Sequence, residues 1–146
     1  MAAPGTANPL RPLPKPTPAT LPFWQAAKEH RLLMPRMPDG RYFFYPRVAD
    51  PETLGEGFTW EEVSGRGTVF SFTVDRRGTH PAFASEVPYV IAIVELEEGP
   101  RMTTNIVGCG VDEVYVGMPV EAAFEDVTPE ITLVKFRPAG PAQAAS

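Results

Sequence analysis

The sequence predicts a mainly-β domain, a small barrel of five strands, preceded by one helix and a compact hairpin lobe. Three observations carry that prediction. From Gly67 to Val74 bulky residues (Val69, Phe70, Phe72, Val74) are interleaved with Ser71 and Thr73. Tyr89 to Leu96 reads YVIAIVEL, almost continuously β-branched or apolar. Glu97-Glu98-Gly99-Pro100 then turns the chain tightly into a mixed polar and apolar run, MTTNIV, from Met102. A period near two, β-branched enrichment and Gly/Pro punctuation specify antiparallel strands rather than helix.

Residues 1–19 form a Pro-rich arm of Ala, Gly, Thr and proline, with Arg11 and Lys15 as its cations. The alternation PLPKPTP favours polyproline II, because the missing amide donors preclude a helix. Both a disordered tail and an extended arm lying on a partner fit this composition.

Residues 20–58 are predicted as a helix plus the lobe. Thr20 to Leu33 reads as a short helix with Thr20 as N-cap, Pro22 in the first turn, and Phe23, Ala26, Ala27 and His30 on one stripe. His30 at its end suits the helix dipole as a cation. Trp24 lies off the stripe. Phe23 and Trp24 on so short an element predict packing on more than one face, either on the helix's own domain or on another subunit. In the lobe, Pro38-Asp39-Gly40 is a turn, flanked by Leu32–Met34 and Arg41–Tyr45 as a small hairpin. Asp50-Pro51-Glu52 begins a second turn before Gly55. The rhythm is that of a two-knuckle, rubredoxin-like or zinc-ribbon-like lobe without ligands.

Residues 59–138 supply the barrel, with 139–146 as a small-residue tail. Thr59–Val63 is a short strand, followed by a Gly65-Arg66-Gly67 turn into the long strands. Asp112–Val114 is a turn of helix, and Met118–Phe124 and Ile131–Phe136 close the sheet. Five strands with one helical turn between them fit a closed barrel of the OB type, with an open sandwich as the structural alternative.

Composition narrows the function classes. One domain of ordinary size fits 146 residues, and a hydrophobic fraction of 43% supports a core. A net charge of -5 disfavours nucleic acid, whose binders track phosphates with basic surfaces. No apolar run approaches the ~20 residues that span a bilayer, so no membrane association is expected. The N-terminus lacks a charged-then-apolar signal, which predicts a cytoplasmic protein. Cys109 is the single cysteine, so no intramolecular disulfide forms. With only His30 and His80 in addition, Cys and His cannot assemble a four-ligand zinc site.

The runs SGRGTVFSFTV, HPAF, VPYVIAIVELEEGPR, NIVGC, VGMPVEAAFE and FRPA, with PFWQAAKEHRLL upstream, resemble the DUF35 family from about Pro12 to Pro138. The resemblance implies an OB-fold protein, associated with acyl-CoA, that carries an N-terminal zinc ribbon. It implies a partner that is thiolase-like or a MaoC-like hydratase, beside which the chain is a non-catalytic scaffold shaping the acyl-CoA channel. A homo-oligomer in isolation is compatible with this. In the family the ribbon reads RCxxCG, FPPR, CPxCG, whereas here it reads RMPDGRYFFYPRVADPETLG. Met37 stands at the first ligand position, the second is deleted beside Asp39 and Gly40, and Asp50 and Thr53 stand at the second pair. A thioether, a carboxylate and a hydroxyl do not make a tetrahedral structural zinc site, so no zinc and no other cofactor is expected. Burial of Leu33, Met34, Met37, Tyr42, Phe43, Phe44, Tyr45 and Leu54, at about 1.5–3 kcal/mol per large side chain, is expected to stand in for the ion.

No residue pattern specifies chemistry. Cys109 in NIVGCG reads as structural, having no His near it in sequence. His80 in GTHPAF reads either as a loop anchor or as a ligand contact, with Phe83 beside it. The acidic residues form no spaced acid/base pair. SGRGT leads into a strand, so it is not a phosphate loop. Arg36, Arg41, Arg47, Arg66, Arg76, Arg77 and Arg101 are the candidates for coenzyme A phosphates. The contact residues expected for ligand or partner are His80, Phe83, Arg47, Arg66, Phe23 and Trp24. The competing reading is a stand-alone OB module for acyl-CoA or single-stranded nucleic acid, with Phe70, Phe72 and Tyr89 as stacking surfaces; a self-contained enzyme ranks third.

Overall fold

A computed structural model describes residues 12–44, 57–78 and 80–139. One helix, α1 (Leu21–Lys28), precedes seven strands: β1 (Leu33–Arg36), β2 (Thr59–Glu62), β3 (Arg66–Asp75), β4 (Tyr89–Leu96), β5 (Arg101–Ile106), β6 (Pro119–Asp126) and β7 (Thr132–Pro138). The last five close a barrel in the order β3-β4-β5-β7-β6 and back to β3. This is the five-stranded OB arrangement, and the fold class expected from the sequence holds.

Alternation builds the barrel. Val90, Ala92, Val94 and Leu96 of β4 point inward and are buried, as are Met102, Thr104 and Ile106 of β5. Val69, Val120 and Phe136 meet them in the core, and Phe136 is fully buried. β3 carries a bulge between Val69 and Ser71, which lets Phe70 turn outward at 45% exposure. The Arg101 guanidinium lies 3.8 Å from its ring centroid. Gly67 is a strand residue of β3 opposite Leu96. A Cβ there would lie 2.3 Å from the Glu95 carbonyl oxygen, so only glycine fits.

The barrel closes weakly on one side. β5 and β7 run parallel and register only at Ile106 and Phe136, where the Val107 amide donates to the Phe136 carbonyl at 2.8 Å. The Thr104 hydroxyl bridges the same seam by donating to the Val134 carbonyl at 3.0 Å. α1 packs against β7 and β1.

Four local expectations are corrected. The helix stops at Lys28 rather than Leu33, because Glu29 and His30 donate their amides to Ala26 and Ala27 carbonyls and His30 takes a left-handed φ of 59°. Thr20 occupies the N-cap position, but its hydroxyl accepts from the Thr17 amide at 2.9 Å instead of capping the helix. His30 serves the barrel rather than the helix dipole. Its ring stacks on Phe124 with centroids 5.0 Å apart, and Nε2 lies 3.0 Å from both Asp126 oxygens.

The fourth correction concerns the lobe. The Pro38-Asp39-Gly40 turn forms, with Gly40 at φ 90°. The hairpin across it amounts to a single bridge between Arg36 and Tyr42. β1 instead pairs antiparallel with β2, Leu33 opposite Glu62 through Arg36 opposite Thr59. This pairing supplies a full ladder, which prolines 35 and 38 deny to the short hairpin. Thr59–Glu62 therefore belongs with the lobe and not with the barrel sheet. Phe43 and Met34 are buried, and Phe43 meets Phe58 edge-on at 5.4 Å, so apolar packing holds the described part of the lobe.

Candidate functional site

A cleft of about 480 Å³ lies over the β4, β5 and β7 ends of the barrel. Phe83, Glu86, Pro88, Tyr89, Asn105, Val107, Cys109, Val111, Leu133 and Lys135 line it, together with Pro12. Three local devices position these residues. Pro81–Phe83 forms a short 3-10 turn, and the His80 Nδ1 accepts the Ala82 amide at 3.0 Å as its cap. His80 is therefore a loop anchor, with its ring edge-on to Phe83 at 5.8 Å. Phe83 in turn leans on Tyr89 at 6.1 Å.

Asp75 organises the connection from β3. Its Oδ1 accepts the Arg77 amide at 2.9 Å and the Gly78 amide at 3.1 Å, while Oδ2 accepts the Tyr89 hydroxyl at 2.8 Å. The Gly78 and Arg77 amides and then the Tyr89 hydroxyl hold the carboxyl below its ordinary range. Bonding to that carboxylate correspondingly pushes the Tyr89 phenol up. On the opposite wall the Asn105 Nδ2 donates to the Val90 carbonyl at 2.9 Å, fixing the amide across β5 and β4. Lys135 is 16% exposed and ion-paired with Glu125.

A second cleft of about 280 Å³ shares Asn105, Leu133 and Lys135 with the first. Phe23, Trp24 and Phe44 supply its aromatic wall over the β5–β7 seam. Phe23 and Trp24 meet edge-on at 5.0 Å, and Phe23 touches Phe44 at 5.5 Å.

The residues singled out from the sequence thus fall in three places. Phe83 lines the larger cleft with His80 behind it, and Phe23 and Trp24 line the adjoining one. Arg66 stands on a different flank, where its guanidinium bonds Glu97 at 3.1 Å. Arg47, Asp50 and Thr53 lie outside the described residues. Asn105, Leu133 and Lys135, which join the two clefts, were not anticipated. The signal available for Asn105 was an amide in the middle of a strand, where Asn is depleted.

The larger cleft is open, with apolar side chains interleaved with Glu86, Asn105 and Lys135 along its lining. Burial, and Glu113 after it, pushes the Cys109 thiol up, away from the thiolate that nucleophilic catalysis needs. Among the described residues no three His, Cys, Asp or Glu converge on a point. The zinc that a ribbon implies does not fit this donor set. Met37 is a half-buried thioether at the turn, and neither Asp50 nor Thr53 adds a thiolate or imidazole. No helix among the described residues is long and apolar enough to cross a membrane.

A closed five-stranded barrel preceded by a helix-led lobe defines a protein of the OB-fold class. A family model described as the C-terminal OB-fold domain of ChsH2 matches residues 60–125. A DUF35 domain-containing scaffold protein of Methanothermobacter thermautotrophicus is 41% identical over 62% of this chain and 68% of its own. The chain belongs to the DUF35 family. A probable enoyl-CoA hydratase alpha subunit of Thermomonospora curvata is 42% identical over 82% of the chain. The 3-oxo-4,17-pregnadiene-20-carboxyl-CoA hydratase alpha subunit of Mycobacterium tuberculosis is 39% identical over 80%. The chain spans only 37% and 36% of the lengths of those two relatives. Among solved structures, a chain of the Ltp2-ChsH2(DUF35) aldolase superposes with TM-score 0.78 at 36% identity, covering 88% of this chain and all of that one.

Proposed function

We propose that this protein is a non-catalytic accessory subunit of an acyl-CoA-processing complex, scaffolding a thiolase-like or hydratase-like enzyme and contributing a wall of its acyl-CoA channel. The observation that carries this reading is the likeness, over 88% of this chain, to a chain of the Ltp2-ChsH2(DUF35) aldolase, a protein whose description joins two components. The hydratase alpha subunits and the archaeal scaffold proteins among its relatives support the same role. The coenzyme A thioester is the ligand of the reading, and the cleft beside Phe83 and Tyr89 is the portion of channel this chain supplies. Trp24, on the helix that walls the second cleft, is the contact offered to the partner, with Phe23 buried behind it. The role requires neither zinc nor another cofactor.

Co-expression with each neighbouring open reading frame, followed by purification on a tag carried by this chain, tests the proposal. The expected result is a stoichiometric complex whose acyl-CoA turnover falls when this chain is omitted. A chain that elutes alone, beside neighbours whose activity is indifferent to it, would overturn it.

A further inference from the structure

The arginines of this chain are not equivalent. Arg31, Arg36, Arg66, Arg101 and Arg137 are each engaged, with Glu62 at 3.0 Å, the Gly40 carbonyl at 3.2 Å, Glu97 at 3.1 Å, Glu95 at 3.0 Å and Glu121 at 2.9 Å respectively. Arg41 faces Asp39. Arg76 and Arg77 differ. Among the described residues Arg76 has only Asp112 at 3.9 Å, a carboxylate whose side chain is 95% exposed, and no hydrogen bond accompanies that contact. Arg77 commits its backbone amide to Asp75, and its guanidinium has no carboxylate within ion-pair distance among the described residues. In a chain of net charge -5, two adjacent and nearly uncompensated guanidiniums are a local exception.

The Arg77 backbone is tied to a wall of the larger cleft. The Asp75 carboxylate that holds the Arg77 amide also holds the hydroxyl of Tyr89, a cleft-lining residue. Beyond the arginines, His80 closes the same loop. Because its Nδ1 accepts the Ala82 amide, its Nε2 is the nitrogen left to face outward from an exposed side chain. The β3–β4 connection thus carries two guanidiniums close to the cleft: the Asp75 that anchors Arg77 also holds the cleft-lining Tyr89, and Arg76 reaches toward Asp112, the neighbour of the cleft-lining Val111.

We infer that Arg76 and Arg77 form the phosphate subsite of a coenzyme A thioester whose pantetheine arm enters the cleft between Tyr89 and Asn105, with His80 as an adjacent donor. The inference rests on the acyl-CoA reading above and assigns its nucleotide end. Guanidinium matches phosphate in charge and fork geometry, and a phosphate displaces the long, solvated Asp112 contact at little cost. It also removes Arg66 and Arg101 from the candidates, because binding there would require breaking short pairs with Glu97 and Glu95.

Isothermal titration of the purified full chain with coenzyme A, pantetheine, ATP and inorganic pyrophosphate tests this. The variants are Arg76→Ala/Arg77→Ala and, as a control of equal charge change, Lys15→Ala/Lys28→Ala. Among the described residues the side chains removed make no hydrogen bond, and Arg76 gives up only its long contact with Asp112, so the loop anchored by Asp75 stays folded. The expected result is that wild type binds coenzyme A more tightly than the other three compounds. The arginine variant loses about tenfold or more and with it the preference over pantetheine, while the lysine control stays within about twofold. Equal losses in the two variants, no preference over pantetheine, ATP or pyrophosphate binding as tightly as coenzyme A, or no binding of coenzyme A at all would overturn the inference. Complex formation in the co-expression experiment is read separately, so the subsite can fail while the scaffold role stands.

Discussion

Tyr89, the first residue of β4, donates its hydroxyl to Asp75, the last residue of β3, at 2.8 Å. One hydrogen bond therefore ties together the ends of the two strands whose connection walls the larger cleft. The same carboxylate collects the Arg77 and Gly78 amides, so the whole turn is organised on a single side chain. Asp75→Ala is expected to speed hydrogen exchange at Arg77 and Gly78 by more than tenfold while leaving the β4 and β5 core amides protected. Tyr89→Phe removes one acceptor bond of three and should raise those two exchange rates much less. Equal protection in all three proteins would show that the loop is held by something else.

The acid limb of stability follows from the carboxylates. Asp75 and Asp126 are both held below their ordinary value of 3.8, Asp75 by backbone amides and Asp126 by the Thr132 hydroxyl and then His30. A depressed folded-state pKa contributes stability that is complete above the unfolded value and lost as pH falls through the folded one. The thermal midpoint should therefore hold level down to about pH 5 and decline below the ordinary carboxylate range. Asp75→Asn/Asp126→Asn should lower the plateau and flatten the decline. Tyr89 gives the opposite limb. Its phenol is raised above 10.0, so its contribution is complete below that value and lost as pH rises through the raised one.

Gly67 is predicted to be irreplaceable for steric reasons. Its missing Cβ accommodates the Glu95 carbonyl oxygen, which a methyl group would approach to 2.3 Å. Gly67→Ala must push β3 away from β4, at a cost of about 1–3 kcal/mol in urea denaturation. Gly99, around whose Cβ direction nothing lies within 4 Å, has a φ of 111°, so Gly99→Ala there probes backbone strain without any steric clash.

Phe136 is fully buried at the point where β7 meets β5, so its ring fills the core while its backbone closes the barrel. Phe136→Ala should cost about 3–5 kcal/mol, against under 1.5 kcal/mol for Phe136→Leu after repacking. The difference in denaturant midpoint between the two variants measures how much of barrel closure depends on that ring.

The lobe supplies a metal prediction. Chain purified without chelator should carry far less than one zinc per molecule by mass spectrometry of the metal, and EDTA should leave its melting temperature unchanged. Stoichiometric zinc would mean that donors other than Met37, Asp50 and Thr53 assemble in or beside the lobe.

The strands were legible from their β-branched and apolar runs, but the inward face of Val90-Ile91-Ala92-Ile93-Val94 was not, because every residue there is apolar while burial alternates. The helix was legible in its stripe but not in its length, because a left-handed His30 leaves no trace in hydrophobic period. The pairing of β1 with β2 was not legible, since the partners lie far apart in the chain and the nearer Arg41–Tyr45 segment competes for the same role. Gly67 was placed at the start of its strand, but its steric role was not legible, because a glycine required for close approach and one required for a turn look identical in sequence. At the site, Phe83 and His80 announced themselves as aromatic and titratable residues in a loop. Leu133 and Lys135 did not, because only closure of the barrel brings β7 beside β5.

The ladder between Leu33–Arg36 and Thr59–Glu62 acts as a drawstring at the neck of the lobe. Once the neck is tied by main-chain bonds and by packing around Met34 and Phe43, the enclosed stretch is a closed loop, whose entropy changes only slowly with its length. Such a stretch can lose a residue here and a ligand there without the neck coming undone. Chimeras that graft a metal knuckle between Met37 and Phe58 should therefore fold on the same stem.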